Sequence, residues 1–339
     1  MPYTLFQGGR RRRRRRAPAV LAVLLLAAVA AAAVLLLVEQ RGGGDPAATR
    51  KAPVKRQPAA RGEGDLEPLG GGGTAPSPLA VRLEQGGDPV RARFKKMPRS
   101  GLLFDADTGR VLWRHDPTRV LPIASLTKMM TALLVADRLG PRTRVPITRE
   151  ALHYQGSGVG LLPRGKRIRT ETMLYGLMLP SGNDAAIALA QRAAGTVPKF
   201  VAAMNARAQR MGLLCTRFSS PHGFSDKGNH SCAGDLAAIA RAVLRVPRLA
   251  KVVRSRQAVL PFPIKGGKLY LYNNNPLLRM GYRGTTGLKT GYTDAAGRCL
   301  VATARRGAVR LGVVLLHSPD PATQATKLLD RGFGAVNRG

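Results

Sequence analysis

Three short clusters in this 339-residue chain carry groups able to act on a carbonyl carbon. The first is Ser125 with Lys128. Three residues apart on a helix, the two side chains leave one face within reach of each other. A serine hydroxyl is a weak nucleophile until a base takes its proton, and a lysine held out of water near a second cation stays neutral enough to be that base. Ser125 is the only one of the eleven serines with Lys at the third position after it. The second cluster is Ser181-Gly182-Asn183: the Ser181 hydroxyl suits a proton shuttle between nucleophile, lysine and leaving amine, and the Asn183 amide suits a clamp on substrate backbone. The third is Lys289-Thr290-Gly291-Tyr292. Lys289 supplies positive potential that depresses the Lys128 pKa and attracts a carboxylate. The Thr290 hydroxyl donates to that carboxylate, and Gly291 lets substrate backbone approach an edge strand. Each cluster also has a plainer reading: a surface helix, a capped helix start, and a hairpin strand with one exposed lysine.

The flanking pattern sets these clusters on recognisable elements. Leu121 to Ile123 leads into Ser125, and Met129, Met130, Leu133 and Leu134 then recur at helical spacing until Gly140-Pro141. Ser125 is therefore expected at a helix N-terminus, where backbone amides favour developing negative charge. An apolar helix over Met173 to Leu179 is broken by Pro180, and Ser181-Gly182-Asn183-Asp184 opens another that ends near Gly195. Gly101 to Leu103 and Val111 to Trp113 read as strands joined by the Asp107-Thr108-Gly109 turn. Cys299 to Thr303 and Arg310 to Leu316 read as strands paired after Lys289, with a last helix near Ala322 to Leu329.

Upstream, residues 1–16 form a basic tail with seven consecutive arginines, Arg10 to Arg16. Residues 17–38 form an uncharged run of 22, long enough at about 1.5 Å per residue to span a hydrocarbon core of about 30 Å. Cleavable signals carry apolar runs of only about 7–15 residues, so the expectation is an uncleaved single-pass anchor, with secretion after cleavage as the alternative. Basic residues beside a span mark the cytoplasmic side, which leaves the remainder outside the cell. Residues 39–92, rich in Gly, Pro and scattered charge, read as a disordered linker, and 93–330 as the one catalytic domain.

The net charge of +36, from 55 basic and 19 acidic residues, does not point to nucleic acid, since the arginine tract is accounted for by topology and anionic lipid. Acidic wall polymers are a possible partner for the basic surface. Cys215 and Cys232 flank a Pro-, Gly- and Asn-rich loop, so either a disulfide closes it or all three cysteines, Cys299 included, are buried thiols. No C-x-x-C spacing supports a zinc or redox site. His222, Asp226 and His230 lie at short spacing, but the segment lacks a nearby Glu base, so no metal and no cofactor are expected.

S-x-x-K, S-x-N and K-T-G occur here in the order found in penicillin-binding proteins and class A β-lactamases. Through Leu121-Pro-Ile-Ala-Ser-Leu-Thr-Lys-Met-Met-Thr131, Leu179-Pro-Ser-Gly-Asn-Asp-Ala-Ala186, Pro221-His-Gly-Phe224 and Gly287-Leu-Lys-Thr-Gly-Tyr-Thr-Asp-Ala-Ala-Gly297 the chain resembles the serine D-Ala-D-Ala carboxypeptidases, the low-molecular-weight penicillin-binding proteins. The resemblance implies an α+β fold of β-lactamase/DD-peptidase type: a five-stranded antiparallel sheet with helices on both faces. It implies Ser125, Lys128 and Ser181 as catalytic residues and Asn183, Lys289, Thr290, Gly291 and Tyr292 as substrate-binding ones, with the Ser125 and Tyr292 amides forming an oxyanion hole. The expected partners are the peptidoglycan stem peptide and β-lactam antibiotics. The C-terminal β-rich domain common in the family is not expected, because only 48 residues follow Gly291. A β-lactamase is the lesser enzyme reading: between Asp137 and Asp184 the only acids are Glu150 and Glu171, and neither has Asn four residues on. A module that binds muropeptides or β-lactams without turnover is the non-enzymatic alternative.

Overall fold

The computed structural model describes residues 77–336 apart from 85, 161, 225, 226 and 265. The expected basic tail, the 17–38 membrane anchor and most of the linker lie outside the described residues. Among the described residues, no helix is long and apolar enough to cross a membrane.

Five strands build the central sheet: β1 (Ser100–Asp105), β2 (Val111–His115), β3 (Thr285–Thr293), β4 (Gly297–Arg306) and β5 (Val309–Leu316). Their order is β2-β1-β5-β4-β3, with every neighbouring pair antiparallel. The chain thus lays down a hairpin first, ending at His115, and closes the sheet with three strands that begin only at Thr285. Only β3 is left as the edge beside the helical part.

Apolar residues fill both sides of these strands, as expected for a sheet covered on both faces. With side chains alternating along a strand, Leu102 and Phe104 of β1 join the larger core together with Val301, Val314 and Leu316. Leu103, Leu300, Ala302, Leu311, Val313 and Leu315 turn the other way. That second face is closed by the C-terminal helix, whose Ala325, Leu328, Leu329 and Phe333 recur at helical spacing. Burial of each of the larger three contributes about 1.5–3 kcal/mol. The expected last helix is present but longer, Pro321–Val336.

The first face carries the remaining long helices: α1 (Lys128–Arg138), α2 (Thr170–Met178), α3 (Asn183–Ala194), α4 (Val197–Arg210), α5 (Ala233–Arg245) and α6 (Pro247–Arg254). Pro180 stops the chain between α2 and α3, and Gly195 ends α3 at φ 80°, a left-handed cap that costs glycine little. Three two-stranded ribbons decorate this half, among them Leu121–Pro122 with His230–Ser231, which ties the chain entering the first cluster to the loop after α4.

The linker ends earlier than position 92. Arg241, buried in α5, donates through Nη1 to the carbonyls of Leu79 and Ala80 at 2.7 and 2.8 Å. Arg114 pairs with Asp88 at 2.7 Å, and Val90 and Ala92 are buried in the second core. Residues 77–92 are therefore part of the domain: composition favours a linker, but guanidinium groups on the domain satisfy their backbone carbonyls.

Candidate active site

Ser125 sits in a 3-10 turn, Ala124–Thr127, immediately before α1 begins at Lys128. The turn and the helix place the lysine under the serine: Lys128 Nζ lies 2.7 Å from Ser125 Oγ. The same nitrogen donates to Asn183 Oδ1 at 2.6 Å and to the His222 carbonyl at 2.9 Å. Both of those oxygens can only accept. A neutral amine has two N–H groups for them and one lone pair left, which points at the serine hydroxyl. Burial, and then the Lys289 charge, push Lys128 well below the ordinary lysine range, with Asp184 opposing. Burial thus disfavours the ammonium form, and the nitrogen sits within hydrogen-bonding distance of Ser125 Oγ.

Asn183, the first residue of α3, is buried. Its Oδ1 is taken by Lys128, and its Nδ2 donates to the Gln155 carbonyl. Each end of this amide thus makes one bond inside the protein, and the oxygen holds Lys128. Ser181, two residues earlier, has φ 69°, a left-handed backbone uncommon for serine. Its Oγ is buried and has no hydrogen-bond partner among the described residues. A buried polar atom left unsatisfied costs about 1–3 kcal/mol, and this hydroxyl lines the cleft.

The opposite wall is β3. Lys289 is buried and donates from Nζ to the Thr290 carbonyl at 2.8 Å; burial brings its pKa down to about 7. A Cβ on Gly291 would lie 3.0 Å from the Ile123 carbonyl oxygen and 3.1 Å from the Ser125 amide nitrogen. Any larger residue would push the edge strand and the nucleophile's turn apart by a few tenths of an ångström. Tyr292 is exposed, and its hydroxyl donates to Asp294 at 3.0 Å. A cleft of about 320 Å³ runs between the walls, bordered by Ser125, Ser181, Asn274, Thr290, Gly291 and Arg298. No carboxylate borders it among the described residues.

All eight residues predicted from sequence therefore lie in or directly beneath one cleft. Sequence reasoning missed several others. The Gln155 and His222 carbonyls orient Asn183 and Lys128, and backbone oxygens leave no mark in a sequence. The Ser157 carbonyl accepts from the Asn183 backbone N–H at 2.7 Å. His222 is held neutral, burial bringing its ring to about 4, and its Nδ1 accepts from the Phe224 amide at 3.0 Å. His230 Nδ1 lies 3.0 Å from the Cys215 carbonyl. These two rings serve the loop, and Asp226 lies outside the described residues.

The sequence profile of a family described as D-alanyl-D-alanine carboxypeptidase matches residues 92–320. The chain belongs to the D-alanyl-D-alanine carboxypeptidase family. Within that family it is 34% identical over 243 residues to the carboxypeptidase DacF of Bacillus subtilis, spanning 69% of this chain and 62% of that one. It is 35% identical over 241 residues to a D-alanyl-D-alanine endopeptidase of Pseudomonas aeruginosa, covering 69% of this chain and 77% of the relative. A mutant of the Streptomyces K15 DD-transpeptidase superposes with a TM-score of 0.66 at 31% identity, covering 71% of this chain and all of the other. The α+β, five-stranded antiparallel architecture expected from the resemblance is thus that of the DD-peptidases.

Proposed function

We propose that this protein is a serine D-Ala-D-Ala carboxypeptidase that removes the terminal D-Ala from peptidoglycan stem peptides through an acyl-enzyme. The observation carrying this reading is the placement of Lys128 Nζ, 2.7 Å from Ser125 Oγ with two obligate acceptors taking its N–H groups. Lys128 takes the Ser125 proton as Oγ bonds to the carbonyl carbon of the penultimate D-Ala. The oxyanion sits against the Ser125 and Tyr292 amides. The proton moves from Lys128 through Ser181 to the leaving nitrogen, the C–N bond breaks and D-Ala departs. Water then attacks the ester and gives its proton to Lys128, the Oγ–carbonyl carbon bond breaks, and Lys128 returns the proton to Ser125 Oγ, which restores both groups.

A β-lactam offers the same serine an amide whose leaving nitrogen stays tethered, so it acylates Ser125 and remains. The cleft supports slow release over β-lactamase turnover. Glu171 pairs with Arg248 at 2.7 Å, Glu150 accepts from Gln191, and Asp184 accepts from the amides of Val159, Gly160 and Ala185, so none is free to activate the deacylating water. The N-terminal order of arginines and apolar run supports a membrane tether with the domain outside, and protease protection of residues 1–16 in intact cells would test it.

D-Ala release from diacetyl-Lys-D-Ala-D-Ala tests the reaction. Release abolished in Ser125→Ala and indifferent to EDTA is expected. Absence of release from the folded native chain would favour a binding module, and EDTA-sensitive release independent of Ser125 would favour a metal peptidase.

A further inference from the structure

A peptide ending in D-Ala presents a permanent negative charge at one end of the scissile segment, and the cleft must meet it. Of the two lysines behind the cleft, Lys128 is buried and committed to Ser125, Asn183 and His222. Lys289 is 1% exposed with Nζ bonded to the Thr290 carbonyl. Neither offers an accessible fixed charge. Arg298 does: it borders the cleft, lies directly opposite Tyr292 in the β3–β4 register, and is open to solvent.

The guanidinium is held in place rather than spent. One nitrogen, Nη1, donates to the Pro319 carbonyl at 3.0 Å, and no carboxylate pairs with Arg298 among the described residues. The nearby acid, Asp294, accepts from the Tyr292 hydroxyl instead. Behind Arg298 a second depression, continuous with the cleft through Tyr292 and Arg298, holds Lys96 and Arg99, which add potential of the same sign. A planar donor that never deprotonates, bordering the same cleft as Thr290, matches the shape and charge of a carboxylate.

We infer that Arg298 is a specificity-determining residue that binds the substrate's terminal carboxylate and so positions the scissile carbonyl over Ser125. This rests on the carboxypeptidase reading above. Arg298 reaches the site from β4, outside the three motifs, and sequence reasoning gave it no role.

The test compares two substrates in the full chain: diacetyl-Lys-D-Ala-D-Ala and the same peptide with a C-terminal amide. The native protein is expected to prefer the free acid, and Arg298→Gln to shrink that preference roughly ten- to hundredfold in kcat/KM, the worth of a hydrogen bond to a charged group. The loss falls mainly in KM, and Arg298→Lys recovers part of it. The preference persists at about pH 9, where Lys289 has lost its proton, because a guanidinium does not titrate there. A parallel arm reads Ser125 acylation by benzylpenicillin against its methyl ester. Release by the native chain with an unchanged acid-to-amide ratio in Arg298→Gln overturns the role of Arg298 and leaves the carboxypeptidase reading intact, as does a preference that vanishes by pH 9. No release, with acid-selective acylation that collapses in Arg298→Gln, sinks the carboxypeptidase reading and upholds Arg298. Absence of both release and acylation overturns the two together.

Discussion

Lys128 and Lys289 are both removed from water, and burial together with the neighbouring charge brings the pKa of Lys128 well below the ordinary lysine range. Its orientation depends on Asn183, so Asn183→Ala should lower kcat for D-Ala release and β-lactam acylation about a hundredfold or more, the scale of a displaced general base. The effect would be read in single-turnover acylation, with circular dichroism confirming the fold. Lys289 makes a different statement, about stability. Folded, it gives up its proton near 7 against an ordinary 10.5, so between those values the unfolded chain binds more protons. Stability then rises with pH across that window, and the penalty of burying the charge is greatest at pH 7 and below. Lys289→Met is therefore expected to have a higher urea midpoint than the native chain at neutral pH, with the gap narrowing toward pH 10, while catalysis is lost. A gap independent of pH would contradict the assignment.

At the scale of elements, the site is a seam between the β3 edge and the 3-10 turn that carries Ser125, with the loop after α4 pressed beneath. That loop approaches so closely that a Cβ on Gly223, at φ 74°, would lie 2.1 Å from the Ala124 carbonyl and 2.4 Å from Thr127 Oγ1. The nearer contact is with backbone, so the turn itself must move. Gly223→Ala should destabilise by about 1–3 kcal/mol and lower acylation far more than the melting temperature alone explains, because the His222 carbonyl that fixes Lys128 moves with the loop. Acylation rate and thermal melting measured on one preparation would separate the two effects. A variant that melts earlier yet acylates normally would show that the loop only supports the fold.

In the molecule as a whole, the loop is tethered by a disulfide between Cys215 and Cys232, 17 residues apart, the first of the two readings left open by the sequence, while Cys299 stays a buried thiol. The bridge closes the segment containing Pro221 to Phe224, so it limits the unfolded chain around the loop that supports the lysine. Its removal in Cys215→Ala/Cys232→Ala should cost about 2–4 kcal/mol, readable as a lower urea midpoint that reductant reproduces in the native chain. Activity at room temperature should survive, since neither sulfur touches the cleft. An unchanged midpoint would mean that the bridge adds nothing to the fold.

Legibility in the sequence followed the range of the interactions. Ser125 and Lys128 are three residues apart on one helical start, so local geometry alone brings them together, and the apolar runs of β1, β4 and β5 announce strands because each is buried on both sides. The Asn183 and Gly291 positions were legible through their motifs, but the engagement of Asn183 by Lys128 was not, since that bond joins residues 55 apart. The Gln155 and His222 carbonyls were invisible because any residue type supplies them. Residues 77–92 looked like linker because their order depends on Arg241 and Arg114, remote cations whose partners no local composition records. Arg298 lies outside the three motifs, and only the pairing of β4 against β3 sets it at the mouth of the cleft. Residue chemistry and short-range spacing were determined by the sequence, and the tertiary structure decided which distant backbone and charged groups complete the site, because those meet only when the sheet closes.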